Sequence, residues 1–327
     1  MQKTKILKSS LAEYIEAFLQ EKYACGYSYR IDTEMLYRFD RFLCENDCPN
    51  QELPRKLAEK WMAKQPHENG TNHRMRQRII NKFACYLRQC GLNAHVVNTK
   101  LTTSVKYDYV PYIFTQDEIC RLLRTFDNLP FDSRSPIRHL VVPEVFRLLY
   151  GCGLRISEVL HLHIEDVNTR QGVLSIRQSK FNKDRLVPMA SSCTKRLRRY
   201  VRRVHFTDSD SLFFPSPFAR AYGISTFYHI FRRGLYESAI PHNGRGKGPR
   251  LHDLRHTFAV HCLERWYRQG DDLNARLPLL SVYLGHKKLS CTQHYLRLMT
   301  KVFPDINARL EAFFNQTSSG GQSNEDN

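Results

Sequence analysis

Apolar residues recur at helical spacing through the first part of the chain. Leu11, Ile15 and Phe18 follow the three- and four-residue steps of one helix face, and Gly26 marks the end of that helix. Similar patterns predict three more helices, at 31–43, 54–63 and 71–90. We therefore expect residues 1–97 to form a small all-helical domain.

A second domain is predicted to begin near Phe114. Between 98 and 113 the helical pattern fades into Thr, Ser, Asn and Lys, which is typical of a linker. Thr115 and Glu118 then have the spacing of a capping box, which marks the start of a helix. Further helices are predicted at 142–150, 155–162, 191–205, 226–237, 252–266, 289–299 and around 306–314. The end of the chain, 316–327, is polar and is predicted to be a disordered tail, which leaves 114–315 as the second domain.

One stretch breaks the helical pattern. From 173 to 187 apolar and polar residues alternate with a period of two, interrupted by a polar turn that contains Lys180. This pattern predicts a β-hairpin with Lys180 at its tip. The fold class is therefore mainly α with a small β-hairpin or sheet, an α+β chain of two domains.

The charge balance indicates a polyanionic partner. Fifty Lys and Arg residues against 32 Asp and Glu give a formal net charge of +18. No apolar run is long enough to span a membrane, and the start of the chain lacks a signal-peptide core. Ten cysteines are scattered without paired motifs, which favours reduced thiols in a cytoplasmic protein.

Three basic segments are candidates for contact with phosphate groups, namely residues 74–106, the helix that contains 195–203 and the loop 241–250. No acidic residue occurs from 70 to 107, and none occurs along the helix that contains 195–203. A solvated helix face usually mixes charges, so the absence of acid favours nucleic-acid binding over a merely soluble face. The candidate DNA-binding residues are Arg74, Arg76, Arg78, Lys82, Lys195, Arg199, Arg202, Arg245 and Lys247.

Six residues form a candidate catalytic set, and they are Arg155, Lys180, His252, Arg255, His286 and Tyr295. Two guanidinium groups can bind the oxygens of one phosphate in a bidentate way. A tyrosine phenol has a pKa near 10 and needs a cationic site to act as a nucleophile, and a lysine can protonate a leaving oxygen. The chain has neither a carboxylate cluster for Mg²⁺ nor a nucleotide-binding glycine loop, so we expect no cofactor, metal or ATP.

These motifs, in this order, resemble the tyrosine recombinase family, also called phage integrases. The resemblance covers both domains and implies a helical core-binding (SAM-like) domain before the catalytic domain. It implies that Tyr295 is the nucleophile, that Arg155 and Arg255 clamp the scissile phosphate, and that Lys180 is the acid. His252 and His286 match the two histidine positions, while Glu158 and Asp253 match supporting acidic positions. It also implies a partner, double-stranded DNA recombination sites, bound by a homotetramer or together with related recombinases.

Two alternatives remain open at this point. One is a DNA-binding regulator that has kept the fold and lost the chemistry, and the other is a type IB topoisomerase that uses similar residues. Three further histidines, His256, His261 and His294, are interpreted as packing or capping residues. Neither the DNA target nor the biological role can be read from the sequence, whether integration, transposition, inversion or dimer resolution.

Overall fold

The structure, a computed structural model, describes residues 6–27, 29–49, 51–97, 110–179, 183–204, 211–218, 220–244, 248–286 and 288–302. The chain forms two compact units, 1–109 and 110–327. Several predictions concern residues outside the described ranges, namely Lys180, Arg245, Lys247, most of the linker 98–113, the helix around 306–314 and the tail 316–327.

The first unit contains the four predicted helices, α1 (Ala12–Ala24), α2 (Arg30–Glu45), α3 (Arg55–Met62) and α4 (Gly70–Gln89). Their apolar faces meet in a core built around Phe18, Phe39 and Phe83. Two short parallel strands, β1 (Glu52–Leu53) and β2 (Asn93–Ala94), were not predicted. Two residues are too short a run to give a recognisable alternating pattern.

The second unit starts with α5 (Gln116–Asp127), whose capping box of Thr115 and Glu118 is present as predicted. The elements that follow are α6 (Arg138–Gly151), α7 (Ile156–Leu160), β3 (Val167–Asn168), β4 (Val173–Ser179), β5 (Lys183–Pro188), α8 (Ser191–Arg203), α9 (Ile224–Glu237), α10 (Asp253–Arg268), α11 (Leu273–Leu284) and α12 (Ser290–Val302). The predicted fold class, mainly α with a small β-sheet, is confirmed.

The strands β3, β4 and β5 form an antiparallel sheet that contains the predicted hairpin. Leu174 pairs with Val187, and both side chains are buried. Ile176 pairs with Arg185, which occupies the same face of β5 as Val187 because side chains alternate along a strand. Arg185, a charged residue, thus takes a core-facing position. Leu186, which lies between Arg185 and Val187, is exposed on the other face.

Helix α10 lies at the centre of the second unit and packs against α6, α11 and α12. Its apolar face, with Val260 and Leu263, meets Leu280 of α11 and Met299 of α12 in a separate cluster of the core. The position of α10 matters because it contains Arg255 and His256, while α12 contains Tyr295. None of the described helices is long and apolar enough to cross a bilayer.

Candidate active site

Arg255 is the most deeply buried charged group of the predicted set. Its side chain is 2% exposed, although it lies in the first turn of α10. One terminal nitrogen donates to the carbonyl of Gly153 at 2.7 Å, and the other donates to the carbonyl of Leu284. The guanidinium is therefore held in place by one backbone oxygen from the loop between α6 and α7 and one from the end of α11.

The charge of Arg255 has no anionic partner among the described residues. Its acceptors are two neutral carbonyls, the imidazole of His286 and the neutral phenol of Tyr295. Burial, followed by the neighbouring Arg155, lowers the pKa of Arg255 to about 10, so the group is still cationic at pH 7. A buried cation without a counterion is costly, and an anion that enters the site lowers that cost.

Gly153 allows this contact because its backbone is in the left-handed region, with φ of +59°. A Cβ at this position would lie 2.4 Å from the ring of Phe258, so only glycine fits. The loop of Gly153 then leads directly to Arg155, at the start of α7. Gly153 thus connects the two arginines of the site, because its carbonyl accepts from Arg255 and Arg155 follows two residues later.

Arg155 is positioned by a carboxylate. Glu158 accepts hydrogen bonds from the Arg155 backbone N–H at 2.9 Å and from its guanidinium at 2.6 Å. The same carboxylate accepts two hydrogen bonds from Arg185, at 3.0 and 2.9 Å. Burial alone would raise the pKa of Glu158, but the bonds from Arg185 and Arg155 lower it to about 2. Glu158 is therefore fully ionised, and the Arg155 side chain is 19% exposed at the edge of the site.

Arg185 was not predicted, and it connects three parts of the site. Besides Glu158, it donates from Nε to the carbonyl of Tyr283 at 2.9 Å, near the end of α11. It therefore ties the hairpin to α7 and to the loop that contains His286. The signal was present in the sequence, because the alternation that buries Val187 also turns Arg185 inward, where it requires a partner.

His286 follows a helix end of the Schellman type. The N–H of Gly285 donates to the carbonyl of Val282, and the N–H of His286 donates to that of Ser281. Gly285 has φ of +67°, and this left-handed turn directs His286 back toward Arg255. Arginine has only donors, so His286 Nε2 accepts from Arg255 at 3.2 Å, and its Nδ1 donates to Thr292 at 2.8 Å. Burial and the nearby arginines lower the pKa of His286 to about 4, so it is neutral.

Tyr295 lies on α12 with its side chain 3% exposed. Burial raises the pKa of its phenol above the ordinary value, while Arg255 and Arg155 act in the opposite direction. The ring of His286 lies 6.0 Å from the Tyr295 ring, nearly parallel to it. The described site thus brings a neutral phenol together with two arginines and a neutral imidazole.

The histidine that forms a hydrogen bond with the phenolic oxygen is His256. Its Nδ1 lies 3.2 Å from Tyr295 Oη, a contact that the interpretation of His256 as a packing or capping residue did not include. His252 is exposed at the start of α10, and its ring meets that of His256 edge-on at 4.9 Å. Their four-residue spacing, which places both on one helix face, was the available signal. His261 does pack, with hydrogen bonds to Gln116 and Tyr150.

The candidate DNA-binding residues differ in how far their side chains are exposed to solvent. Arg76 is a correction, because its side chain is 4% exposed and forms an ion pair with Glu68 at 2.6 Å. It also donates to the carbonyls of Trp61 and Ala63, so it joins α3 to α4 inside the first unit. In contrast, the six other described candidates have exposed or partly exposed side chains, and these are Arg74, Arg78, Lys82, Lys195, Arg199 and Arg202.

Among the described residues, no group of three or more His, Cys, Asp or Glu side chains is arranged to hold a metal ion. Arg255 and Arg155 make the site a cationic pocket, and burial keeps the phenol of Tyr295 protonated. Such a pocket can bind an anionic phosphodiester and stabilise the negative charge that develops on its oxygens during nucleophilic attack.

Comparison with known proteins identifies a family whose members act on DNA strands. Residues 113–301 match the model of the phage integrase family. Integrase/recombinase y4rB of Sinorhizobium fredii is 30% identical over 313 residues, which cover 93% of this chain and 98% of that protein. Tyrosine recombinase XerA of Pyrococcus furiosus is 29% identical over 301 residues, which cover 91% of this chain and 92% of that protein.

Solved structures share the fold. The Tn1549 transposon integrase in complex with transposon right end DNA has a TM-score of 0.61 at 16% identity, over 89% of this chain and 99% of that one. The XerH recombinase bound to its palindromic difH substrate, in a post-cleavage complex, has a TM-score of 0.60 at 16% identity, over 85% and 78%. The fold and site define an enzyme that exchanges DNA strands. The chain belongs to the phage integrase family, the tyrosine recombinases.

Proposed function

We propose that the protein is a site-specific recombinase that cuts and rejoins DNA through a covalent 3′-phosphotyrosine. The observation that carries this proposal is the burial of the Tyr295 phenol beside Arg255, a cation without an anionic partner among the described residues. A scissile phosphate supplies the missing negative charge. Neither ATP nor a metal ion takes part.

The reaction divides into an attack and a departure. Tyr295 Oη attacks phosphorus and transfers its proton to one of the two predicted histidines, His252 or His286, while the bond from phosphorus to the 5′ oxygen breaks. The 5′ oxygen takes a proton from Lys180, which lies outside the described residues. Arg155 and Arg255 bind the non-bridging oxygens, where charge increases, and His252 and His286 complete the set by holding the phosphate and assisting proton transfer. Attack by the 5′ hydroxyl of another strand reverses these steps and rejoins the DNA.

Double-stranded DNA is the proposed partner, bound at recombination sites by four copies of the chain or by copies together with related recombinases. DNA complexes of XerH and of the Tn1549 integrase support DNA as the partner, as does the net charge of +18. We assign phosphate contacts in the first unit to Arg74, Arg78 and Lys82, and in the second to Lys195, Arg199 and Arg202. Arg245 and Lys247, beyond the described residues, are assigned on sequence alone.

A covalent adduct tests the mechanism. Nicked duplexes made from the DNA that flanks the gene are incubated with the protein, and protein joined to DNA is detected on denaturing gels. We expect the wild type to form an adduct and Tyr295→Phe to form none, while both bind the same duplexes with similar affinity, because only the nucleophilic oxygen is removed. Equal binding with no adduct from the wild type would identify a DNA-binding regulator instead.

A second assay separates the recombinase from a topoisomerase. Two duplexes that carry the site recognised in the first assay are mixed, and exchange of labelled arms is measured alongside relaxation of a supercoiled circle. Exchanged arms are the expected result. Relaxation without exchange would favour strand passage of the type IB topoisomerase kind.

A further inference from the structure

His256 stands out among the histidines of the site because it contacts a reacting atom. Its Nδ1 lies 3.2 Å from Tyr295 Oη, and the two rings are 5.6 Å apart at an interplanar angle of 56°. His286, one of the two predicted catalytic histidines, uses both ring nitrogens for other partners, Arg255 and Thr292. His256 is therefore the imidazole that fixes the orientation of the phenol.

The direction of this hydrogen bond follows from the charge of both partners. Burial is the largest cause that lowers the pKa of His256 to about 3, followed by the neighbours His252 and Arg255, and His294 and His286 add to the effect. The pKa of Tyr295 is raised above its ordinary value of 10. The proton consequently stays on the phenol, and neutral Nδ1 accepts it in a hydrogen bond.

These values also decide between two roles for His256. A general base works well when its pKa is close to the working pH, and that of His256 is several units too low. Proton transfer from the phenol to His256 is strongly unfavourable in the DNA-free enzyme. An acceptor that orients the hydroxyl has no such requirement, because it never becomes protonated.

Orientation has a chemical consequence at the phenolic oxygen. A hydroxyl has one O–H bond and two lone pairs. When the O–H bond points at His256, a lone pair is left to accept the hydrogen bond from Arg255, which lowers the phenol pKa together with the charge of Arg155. Those arginines are the proposed phosphate clamp, so this lone-pair side of the oxygen faces the place where the clamp would hold the phosphate.

We propose that His256 is a positioning residue that holds the Tyr295 hydroxyl with a lone pair directed at the scissile phosphate. This role rests on the proposed function, since it presumes that Tyr295 is the nucleophile. It adds to the predicted set a residue one position beyond Arg255 on the same helix. The first turn of α10 thus supplies both a phosphate-binding group and the partner of the attacking oxygen.

The hydrogen bond itself is tested without DNA. Nitrogen-15 NMR of the full chain, with His256 assigned by comparison with His256→Asn, reports which ring nitrogen carries a proton. We expect a neutral imidazole between pH 5 and pH 8, protonated on Nε2 and unprotonated on Nδ1. A charged ring at pH 7, or a proton on Nδ1, would overturn the proposal regardless of whether the protein cleaves DNA.

The kinetic test uses two substitutions and a matched control. His256→Asn keeps an acceptor oxygen near the position of Nδ1, whereas His256→Leu keeps bulk and removes the acceptor. The control is His294→Leu, since His294 is an exposed residue whose ring lies 6.4 Å from that of Tyr295. Adduct formation is followed at saturating nicked duplex, with affinity measured separately and folding checked by thermal denaturation.

We expect His256→Leu to lower the rate of adduct formation by about 10²-fold, since a small misplacement of a reacting group can have an effect of that size. His256→Asn should recover to within about tenfold of the wild type, and His294→Leu should match it. DNA affinity should change little in all three. A rate for His256→Leu within about threefold of the wild type, or an Asn variant no faster than a folded Leu variant, would refute the role. If the wild type forms no adduct, the proposed function fails, which the NMR result distinguishes from failure of the hydrogen bond.

Discussion

Arg155 and Arg255 carry the same charge and are held in two different ways. Arg155 is bound to the carboxylate of Glu158, whereas Arg255 is bound to backbone carbonyls. Glu158 also forms an ion pair with Arg185, so one buried carboxylate is the partner of two cations. Ionisation of this single side chain therefore contributes both to stability and to the position of Arg155.

Glu158→Gln should destabilise the fold in a pH-dependent way. The pKa of Glu158 is about 2 in the folded chain against an ordinary 4.5, so its stabilisation is complete above about pH 4.5 and is lost as pH falls through 2. The shift corresponds to about 3 kcal/mol. Urea unfolding of both proteins at several pH values should show a difference of that order at pH 7 that narrows below pH 4. A difference independent of pH would contradict this assignment.

Residue-level misreadings have physical causes. Arg76 was counted as DNA-binding because charge along α4 cannot reveal that Glu68, eight positions earlier, folds back onto it. His256 was set aside because one histidine among 14 carries little information before the partner on α12 is known. In both cases spacing along one helix shows which face a residue occupies but does not identify its partner on another segment.

At the scale of elements, periodicity predicted the helices of the first unit and the hairpin well. Helix α11 (Leu273–Leu284) was missed because it contains Pro278 and has apolar residues all round, among them exposed Leu279 and Val282. An apolar pattern without a polar face does not identify a helix orientation. The cap residues Asp272 and Gly285 were the remaining signals, and both are used in the structure.

Gly285→Ala should damage the site as well as the helix end. An alanine at φ of +67° is strained by about 1–2 kcal/mol, and its Cβ would lie 3.1 Å from Arg185 Nη1. The control is Gly270→Ala, at φ of +77° with no atom within 4 Å. Urea unfolding should show a similar loss for both variants, because the backbone strain is similar. Only Gly285→Ala should also slow adduct formation, since His286 follows it directly, and equal rates for the two variants would argue against this link.

For the whole molecule, the basic charge should govern binding to DNA, with individual residues contributing unequally. Arg78 is 61% exposed and only loosely paired with Asp32 at 3.8 Å, whereas Arg76 is buried against Glu68. Arg78→Ala should reduce the slope of log affinity against log salt by about 0.9 and leave stability nearly unchanged. Arg76→Ala should leave the slope unchanged and lower the stability of the first unit by about 3 kcal/mol, because it removes a buried guanidinium together with its ion pair to the half-buried Glu68 and its bonds to two carbonyls.

Titrations of a labelled duplex at several salt concentrations, with urea unfolding of the same proteins, measure both quantities. A reduced slope for folded Arg76→Ala would restore that residue to the DNA-binding surface. An unchanged slope for Arg78→Ala would remove Arg78 from it. The two variants thus distinguish an arginine that contacts DNA from an arginine that stabilises the first unit.

The way in which Arg255 is held also bears on how the protein can change over evolutionary time. Its two carbonyl acceptors belong to the main chain, and every amino acid provides a carbonyl. Side chains around Arg255 can therefore be substituted without moving its guanidinium, provided that the left-handed turns at Gly153 and Gly285 are kept. Mutational tolerance should be lowest at these two glycines, which perform no chemistry, and a saturation library scored for recombination would reveal them as sharply as it reveals the nucleophile.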